Sequence, residues 1–335
     1  MNLLKQGLAA SLLAAVAALS FLAPASAEEQ VSVRLKWLPQ AQFAGIYMAK
    51  EKGFYRDAGL DVTINPGGPN INVETLAASG TDTFAIGGPT ESVLYARDNN
   101  LPLVAIGMTL PITSYVFVAH ADSGIKDIQD FKGKKVATWF TGSQYTLFGV
   151  LAHENIEQSE LEIIAQPFTL QPFIDKQFDV YTVTLYNELN TLREMGMNDL
   201  TIIRPDDHGV TTQVDSILTS EKVIEEKPEV VQAFLTATLK GWKYALAHKE
   251  ESIDVVMTQG SGLDRKHQEL MLDEIERLIV DGNAGKAGIG GIDMDVTKAV
   301  QDNLLRFDAL KAPVDLDAAF TNRFWDQVPA DDKKL

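Results

Sequence analysis

Residues 35–49, with the sequence LKWLPQAQFAGIYMA, contain the end of a strand, a short loop and the start of a helix. Residues 31–37 alternate apolar and polar side chains, a pattern typical of a half-buried strand. The helical pattern of residues 43–52 then ends at Gly53, and glycine commonly follows the last turn of a helix. Strand and helix patterns keep alternating from there to residue 108. This order predicts an α/β fold with a mainly parallel sheet flanked by helices.

A second series of alternating elements follows Pro111. Strand patterns at residues 115–120, 135–138 and 180–185 are separated by helical stretches, and the patterns from residue 223 onward are mostly helical. A chain of 335 residues is long enough to bury more than one hydrophobic core. We therefore expect two α/β units and a helical C-terminal part.

The composition excludes several classes of function. The chain carries 46 acidic and 29 basic side chains, a formal charge of −17, and this charge repels the phosphate backbone of nucleic acids. It has no cysteine, which excludes disulfides, thiolate metal sites and cysteine nucleophiles. Its five histidines are far apart in sequence, and only His208 lies close to a predicted passage between the two units. We therefore expect no nucleic-acid partner, no metal and no cofactor.

The N-terminus has the pattern of a secretory signal peptide. Lys5 precedes an apolar run over residues 8–22, and the small residues Ala25 and Ala27 then form an AxA-type cleavage site. Cleavage after Ala27 leaves a mature protein that begins at Glu28, and we expect it in the periplasm. No later segment approaches the roughly 18 uninterrupted apolar residues of a membrane-spanning helix.

Two segments carry a family resemblance. Residues 35–49, together with 51–55 and 59–62, resemble the opening of solute-binding proteins similar to thiamine-pyrimidine synthases. That family shares ancestry with the sulfonate-, nitrate- and taurine-type receptors of ABC importers. Residues 209–242 look like the same family's return of the chain into its first lobe.

The resemblance implies a two-lobed periplasmic binding protein fold of type II. Each lobe is then a mainly parallel sheet flanked by helices. Lobe one comprises residues 28–112 and 213–335, and lobe two comprises residues 113–212, with hinge crossings near residues 111–115 and 205–209. The resemblance also implies a monomer that delivers a small-molecule ligand to the membrane permease of an ABC importer.

Ligands of α/β sheets bind beyond the carboxyl ends of the strands, where loops lead into helices. Three such loops of lobe one contain the candidate ligand-binding residues Trp37, Gln40, Gln42, Phe43, Gly68 and Thr90. The aromatic rings can stack on a flat ligand, and the glutamine amides can hydrogen-bond its polar edges. The alternatives are a core role for the rings, a turn role for Gly68 and a helix-cap role for Thr90.

Lobe two supplies four more candidates. Trp139 and Tyr145 belong to a predicted passage from strand to helix, and Tyr186 and Glu188 follow the strand pattern at residues 180–185. A carboxylate at that position can accept hydrogen bonds from the amino group and the ring N–H of a heterocycle. The alternative for Glu188 is the first turn of a surface helix, where an acidic residue is favourable.

The aromatic candidates favour a receptor that closes on a small, flat heteroaromatic solute. The resemblance implies either a formylated precursor of the thiamine pyrimidine or a flavin such as riboflavin. A sulfonate or nitrate receptor instead surrounds its anion with N–H groups or arginines, and a sensory module with the same cleft is a further alternative. A pyrimidine synthase is the enzymatic alternative. Its fungal members carry a cysteine-rich run near residues 211–218 and a histidine near Thr90, and this chain has neither, so we expect no enzymatic activity.

Overall fold

The computed structural model describes residues 27–335, apart from Thr141 and Phe307 and the side chains of residues 283–285. All of the predicted signal peptide except Ala27 lies outside these residues, and its cleavage stays a prediction. In the described part of the chain, no helix is both long and apolar enough to cross a membrane.

Ten strands form two sheets across the described residues. The first sheet contains β1 (Glu29–Arg34), β2 (Leu60–Asn65), β3 (Phe84–Ile86), β4 (Leu103–Leu110) and β10 (Val214–Ser220), in the order β2-β1-β3-β10-β4. The second contains β5 (Tyr115–His120), β6 (Lys135–Thr138), β7 (Glu162–Ala165), β8 (Val180–Thr184) and β9 (Leu200–Ile203), in the order β7-β6-β8-β5-β9. We call the first sheet with its helices lobe one and the second sheet with its helices lobe two.

Four strands of each sheet run in one direction, and the fifth is reversed. The reversed strands are β10 in lobe one and β5 in lobe two, each antiparallel to both of its neighbours. Each of them is the first strand that the chain forms after it passes from one lobe to the other. The predicted α/β class, with two lobes and mainly parallel sheets, is confirmed.

Helices flank both sheets. The helices before β5 are α1 (Ala44–Glu51), α2 (Phe54–Asp57), α3 (Val73–Ala78) and α4 (Thr90–Asp98), and those of lobe two are α5 (Ser143–His153), α6 (Gln171–Ile174) and α7 (Glu188–Glu194). The helices after β10 are α8 (Glu221–Glu226), α9 (Pro228–Ala247), α10 (Lys249–Met257), α11 (Arg265–Val280), α12 (Gly282–Ala287), α13 (Met294–Arg306), α14 (Leu316–Ala319), α15 (Arg323–Gln327) and α16 (Ala330–Lys333). In the core of lobe one, the rings of Phe84 and Phe234 stack with centroids 3.8 Å apart.

The position of α1, which follows the Trp37 loop, is fixed by α9. The two helices approach so closely at Gly241 that a Cβ there would lie 2.1 Å from the backbone oxygen of Gly45. Trp242 in turn lies against Gly45, where a Cβ would be 2.2 Å from its ring. Glycine is therefore required at both positions, and this close contact holds the loop before α1 against lobe one.

The C-terminal region differs from the helices predicted at residues 294–310 and 316–328. The first ends at Arg306, and the second is divided into α14 and α15. Between them, Phe320 forms a β-bridge with Ala105 of the edge strand β4. Backbone pairing with the free edge of this buried strand therefore interrupts the helical pattern.

Two chain segments connect the lobes, one between β4 and β5 and the other between β9 and β10. Thr212 donates from its backbone N to Thr113 Oγ1 at 3.0 Å, so the two segments are tied together. The Thr212 hydroxyl also donates to the buried carboxylate of Glu91 in α4. The sheets divide the chain in the predicted order, and the exact lobe boundaries stay a prediction.

Candidate functional site

A cavity lies between the lobes, beyond the carboxyl ends of β1, β6 and β8. Seven of the predicted ligand-binding residues line it, namely Trp37, Gln40, Gln42 and Gly68 of lobe one and Trp139, Tyr186 and Glu188 of lobe two. The wall also contains Lys36, Glu74 and Tyr115, which the sequence patterns did not single out. The predicted loops therefore converge on one place.

Two indole rings from different lobes line this cavity. The ring centroids of Trp37 and Trp139 are 6.4 Å apart, with an angle of 60° between the planes. Phe168, which follows β7, stacks on Trp37 from lobe two, with centroids 5.8 Å apart and an angle of 26°. Nε1 of Trp139 is buried and has no hydrogen-bond partner among the described residues. A buried donor without a partner lowers stability by about 1–3 kcal/mol, and an acceptor on a bound ligand would remove this cost.

Lys36 forms an ion pair with Asp215, a β10 residue that is 2% exposed. Gln42 donates from Nε2 to both carboxylate oxygens of Asp215, at 2.9 and 3.1 Å. Gln40 donates to Gln42 Oε1 at 2.8 Å. The two amides that were predicted to contact a ligand are therefore engaged with the protein, where they hold the ion pair in place.

Burial and charge set the protonation of the cavity wall. Burial is the largest single influence on the pKa of Lys36 and lowers it, but Asp215 and the other acidic groups nearby together raise it by more, so the net pKa is raised and the ammonium stays charged. Burial raises the pKa of Tyr115 and of Tyr186, so both present neutral hydroxyls at neutral pH. Burial also raises the pKa of Glu74, although its Oε1 accepts a hydrogen bond from the backbone of Gly88 at 3.1 Å.

Glu188 begins α7, and its carboxylate is held at the end of β8. Thr184 donates to Oε2 from its backbone N at 3.0 Å and from its hydroxyl at 2.5 Å. Asn187 donates to Oε1 at 2.7 Å. Glu188 therefore both lines the cavity and begins a helix, so the two interpretations of this residue are compatible. A carboxylate has about four acceptor positions, so Glu188 retains acceptor capacity for an amino group.

The space beside Gly68 is open. A Cβ at this position would meet no other atom within 4 Å, whereas a Cβ at the neighbouring Gly67 would lie 2.0 Å from the backbone oxygen of Leu35. The close packing of this loop on lobe one therefore requires glycine at 67. Gly68 leaves its side of the cavity free.

Three predicted residues lie off the cavity wall. Phe43 is fully buried in the core of lobe one, because the short turn Ala41–Phe43 directs its ring inward. Thr90 begins α4, and its backbone N donates to Gln213 O at 3.0 Å, which anchors the second connection between the lobes. Tyr145 in α5 packs against Tyr95 in α4 beside the cavity, with ring centroids 5.1 Å apart.

His267, rather than His208, is the histidine that contacts the cavity wall. His208 contacts Glu154 at 3.0 Å and does not line the cavity. His267 in α11 instead contacts Asn187, a residue of the cavity wall, and no sequence pattern signals this role. Within the described ranges, no group of three or more acidic or histidine side chains lies close enough to hold a metal ion.

Comparison with known proteins shows the family. The NMT1/THI5-like family model matches residues 40–252. The chain is 25% identical to the riboflavin-binding protein RibY of Chloroflexus aurantiacus, over 88% of this chain and 86% of that protein. It is 27% identical to the formylaminopyrimidine-binding protein of Halalkalibacterium halodurans, over 88% and 90% of the two chains. Among solved structures, it is similar to the periplasmic aliphatic sulphonate-binding protein SsuA of Escherichia coli, with a TM-score of 0.66, 14% identity, and coverage of 87% and 91%. This chain therefore has the periplasmic binding protein fold and belongs to the NMT1/THI5-like family.

Proposed function

We propose that this chain is the solute-binding receptor of an ABC importer and that it closes around a small, flat heteroaromatic solute. The observation that carries the proposal is the pair of indoles from different lobes, together with the unpartnered N–H of Trp139. A flat ring between the lobes can stack on Trp37 and accept a hydrogen bond from Trp139 Nε1. Both contacts require the closed arrangement of the lobes.

The charges of the wall support a neutral ring over an anion. Lys36 is already neutralised by Asp215, and the carboxylates of Glu74 and Glu188 lie on the same wall. An anionic sulfonate would meet these carboxylates without a free cation among the described wall residues. An amino-substituted ring can instead donate to Glu188, and such charge-assisted hydrogen bonds are stronger than neutral ones.

The family relatives support the same class of ligand. Two relatives that match over 88% of this chain are named for riboflavin and for a formylaminopyrimidine, and both of these molecules contain flat nitrogen heterocycles. We therefore propose a formylated aminopyrimidine or a flavin as the solute of this chain.

We propose binding without chemical conversion, in the periplasm. These relatives are named as binding proteins, and the chain has none of the cysteines expected of the related synthases. The proposed location is supported by the signal-peptide pattern of residues 1–27 and by the likeness in fold to a periplasmic protein.

Titration calorimetry with three compounds tests the proposal. We expect saturable binding of a formylated aminopyrimidine or of riboflavin, recovery of the compound unchanged, and no binding of an alkanesulfonate. Binding of the sulfonate alone would contradict the heteroaromatic class. Release of a new product would contradict the receptor function.

A further inference from the structure

His267 joins lobe one to lobe two outside the two hinge segments. It lies in α11 of lobe one, which packs against α7 of lobe two. Its Nδ1 is 2.7 Å from Oε2 of Glu194, and its Nε2 is 2.9 Å from Oδ1 of Asn187. The side chain is only 14% exposed, so water does not readily replace these bonds.

The chemistry of the two partners determines the protonation of the bridge. A carboxylate and an amide oxygen are both acceptors, and a neutral imidazole has only one N–H. The orientation of the Asn187 amide is fixed from its other end, because its Nδ2 donates to Glu188 Oε1 at 2.7 Å. Exchange of its oxygen and nitrogen would place an acceptor against that carboxylate. Both bonds of His267 therefore form together only when the ring is an imidazolium.

The charged groups around His267 lie beside it at the start of α11 and on three helices that pack against α11. Asp264, one turn earlier in the chain, accepts a hydrogen bond from the backbone N of His267 at 2.9 Å, and Arg265 pairs with Asp254. The turn Ala41–Phe43 and β4, which also pack on α11, contain no charged side chain. The charged residues of the remaining packed helices are Glu188, Arg193 and Glu194 of α7, Lys249, Glu250, Glu251 and Asp254 of α10, and Lys286 of α12. Among these, Glu194 is the residue in direct contact with the ring.

We propose that His267 is a positioning residue of the ligand cleft that bonds as an imidazolium across the closed lobes and orients Asn187 and, through it, Glu188. Lobe opening separates α11 from α7 and breaks both bonds. Loss of the ring proton removes one of the two N–H donors and with it one bond across the lobes, so affinity falls as pH rises. The inference rests on the proposed function insofar as ligand binding closes the cleft.

The test is the dissociation constant of riboflavin and of a formylated aminopyrimidine between about pH 5.5 and 8.5. For wild type we expect roughly three- to tenfold weaker binding at about pH 8 than at about pH 6. His267→Gln cannot gain charge and should bind weakly at both pH values. His267→Lys keeps a donor throughout and should retain its affinity at the higher pH. His248→Gln is the matched control, because His248 is exposed and bonds to Tyr244 O of its own lobe, and it should follow wild type.

Glu91 at the hinge also titrates in this range, because burial raises its pKa to about 7, but it does so in every variant. The difference between the pH profiles of wild type and His267→Gln therefore measures the contribution of His267, and equal pH dependences in the two proteins would overturn the proposal. Small-angle scattering of the protein without added ligand tests the His267 bridge separately from the proposed class of ligand. If neither compound binds but lower pH compacts wild type and not His267→Gln, the ligand class fails and the bridge stands. If wild type and His267→Gln show the same pH dependence of affinity and of compaction, the bridge is refuted.

Discussion

Trp139→Phe separates the ligand bond of the indole N–H from any role in folding. The substitution keeps an aromatic ring on the cavity wall and removes Nε1, which is buried and has no partner among the residues that the structure describes. Since no internal hydrogen bond is lost, we expect the free energy of unfolding to change by less than about 1 kcal/mol. A ligand that accepts from this N–H should lose a bond worth about 0.5–1.5 kcal/mol, or roughly a 2- to 13-fold increase in Kd.

Trp325→Phe is the matched control. Trp325 Nε1 donates to Ile289 O at 2.8 Å within lobe one, away from the cavity. Its replacement leaves a carbonyl without its donor and should destabilise the protein by about 1–3 kcal/mol without changing Kd. Denaturant unfolding and titration calorimetry give the free energy of unfolding and the Kd of each variant. A stable Trp139→Phe protein with wild-type affinity would refute the assignment of this donor to the ligand.

Three further predictions concern charged side chains. Burial raises the pKa of Glu91 from 4.5 to about 7, so its stabilising contribution is complete below pH 4.5 and is lost as pH rises through about 7. Glu91→Gln should therefore exceed wild type in unfolding free energy above that pH, by up to about 3 kcal/mol, and an unchanged pH profile of unfolding would exclude the effect. Lys36→Met leaves Asp215 buried without its cation and should lower the free energy of unfolding by roughly 3–5 kcal/mol in denaturant. Adding Asp215→Asn to this variant should restore most of that stability. An equal loss of stability in the single and the double variant would contradict the reasoning. Glu188→Gln places a donor against the Thr184 and Asn187 donors and should weaken heteroaromatic binding by roughly 1.5–3 kcal/mol in calorimetry, and wild-type affinity would remove Glu188 from the site.

The elements that follow from local pattern were predictable. The strand before Trp37 and the helix after it appear within three residues of the predicted bounds, because apolar alternation and Gly53 are signals that depend on neighbouring residues. The strand β10 was not predicted as a strand. Asp215 and Ser216 interrupt its apolar pattern, and both are buried by the neighbouring strands of the sheet. The division of the C-terminal helix at Phe320 likewise depends on pairing with a distant strand edge.

The same distinction holds for the cavity. Trp37, Trp139 and Glu188 lie within about one helical turn after the ends of strands, so the general rule for α/β sheets locates them. Lys36 gains its role only through Asp215 on a strand far along the chain, and His267 only through contact of α11 with the other lobe. For Phe43, the rule locates the loop but not the direction of the side chain. Phe43 lies in the right loop, but the turn directs its ring into the core.

The indole N–H resonances test the central claim most directly, since the chain has four tryptophans and gives one such signal for each. Trp37 and Trp139 line the cavity, whereas Trp242 is 2% exposed in the core of lobe one and Trp325 is bonded to Ile289. Nitrogen-15 correlation spectra, assigned with single Trp→Phe variants, should be recorded while riboflavin or a formylated aminopyrimidine is added. We predict that the Trp139 signal shifts most, that the Trp37 signal shifts with it, and that the other two stay in place. Saturable binding that leaves both cavity signals unmoved would contradict a heteroaromatic ligand held between the two indoles.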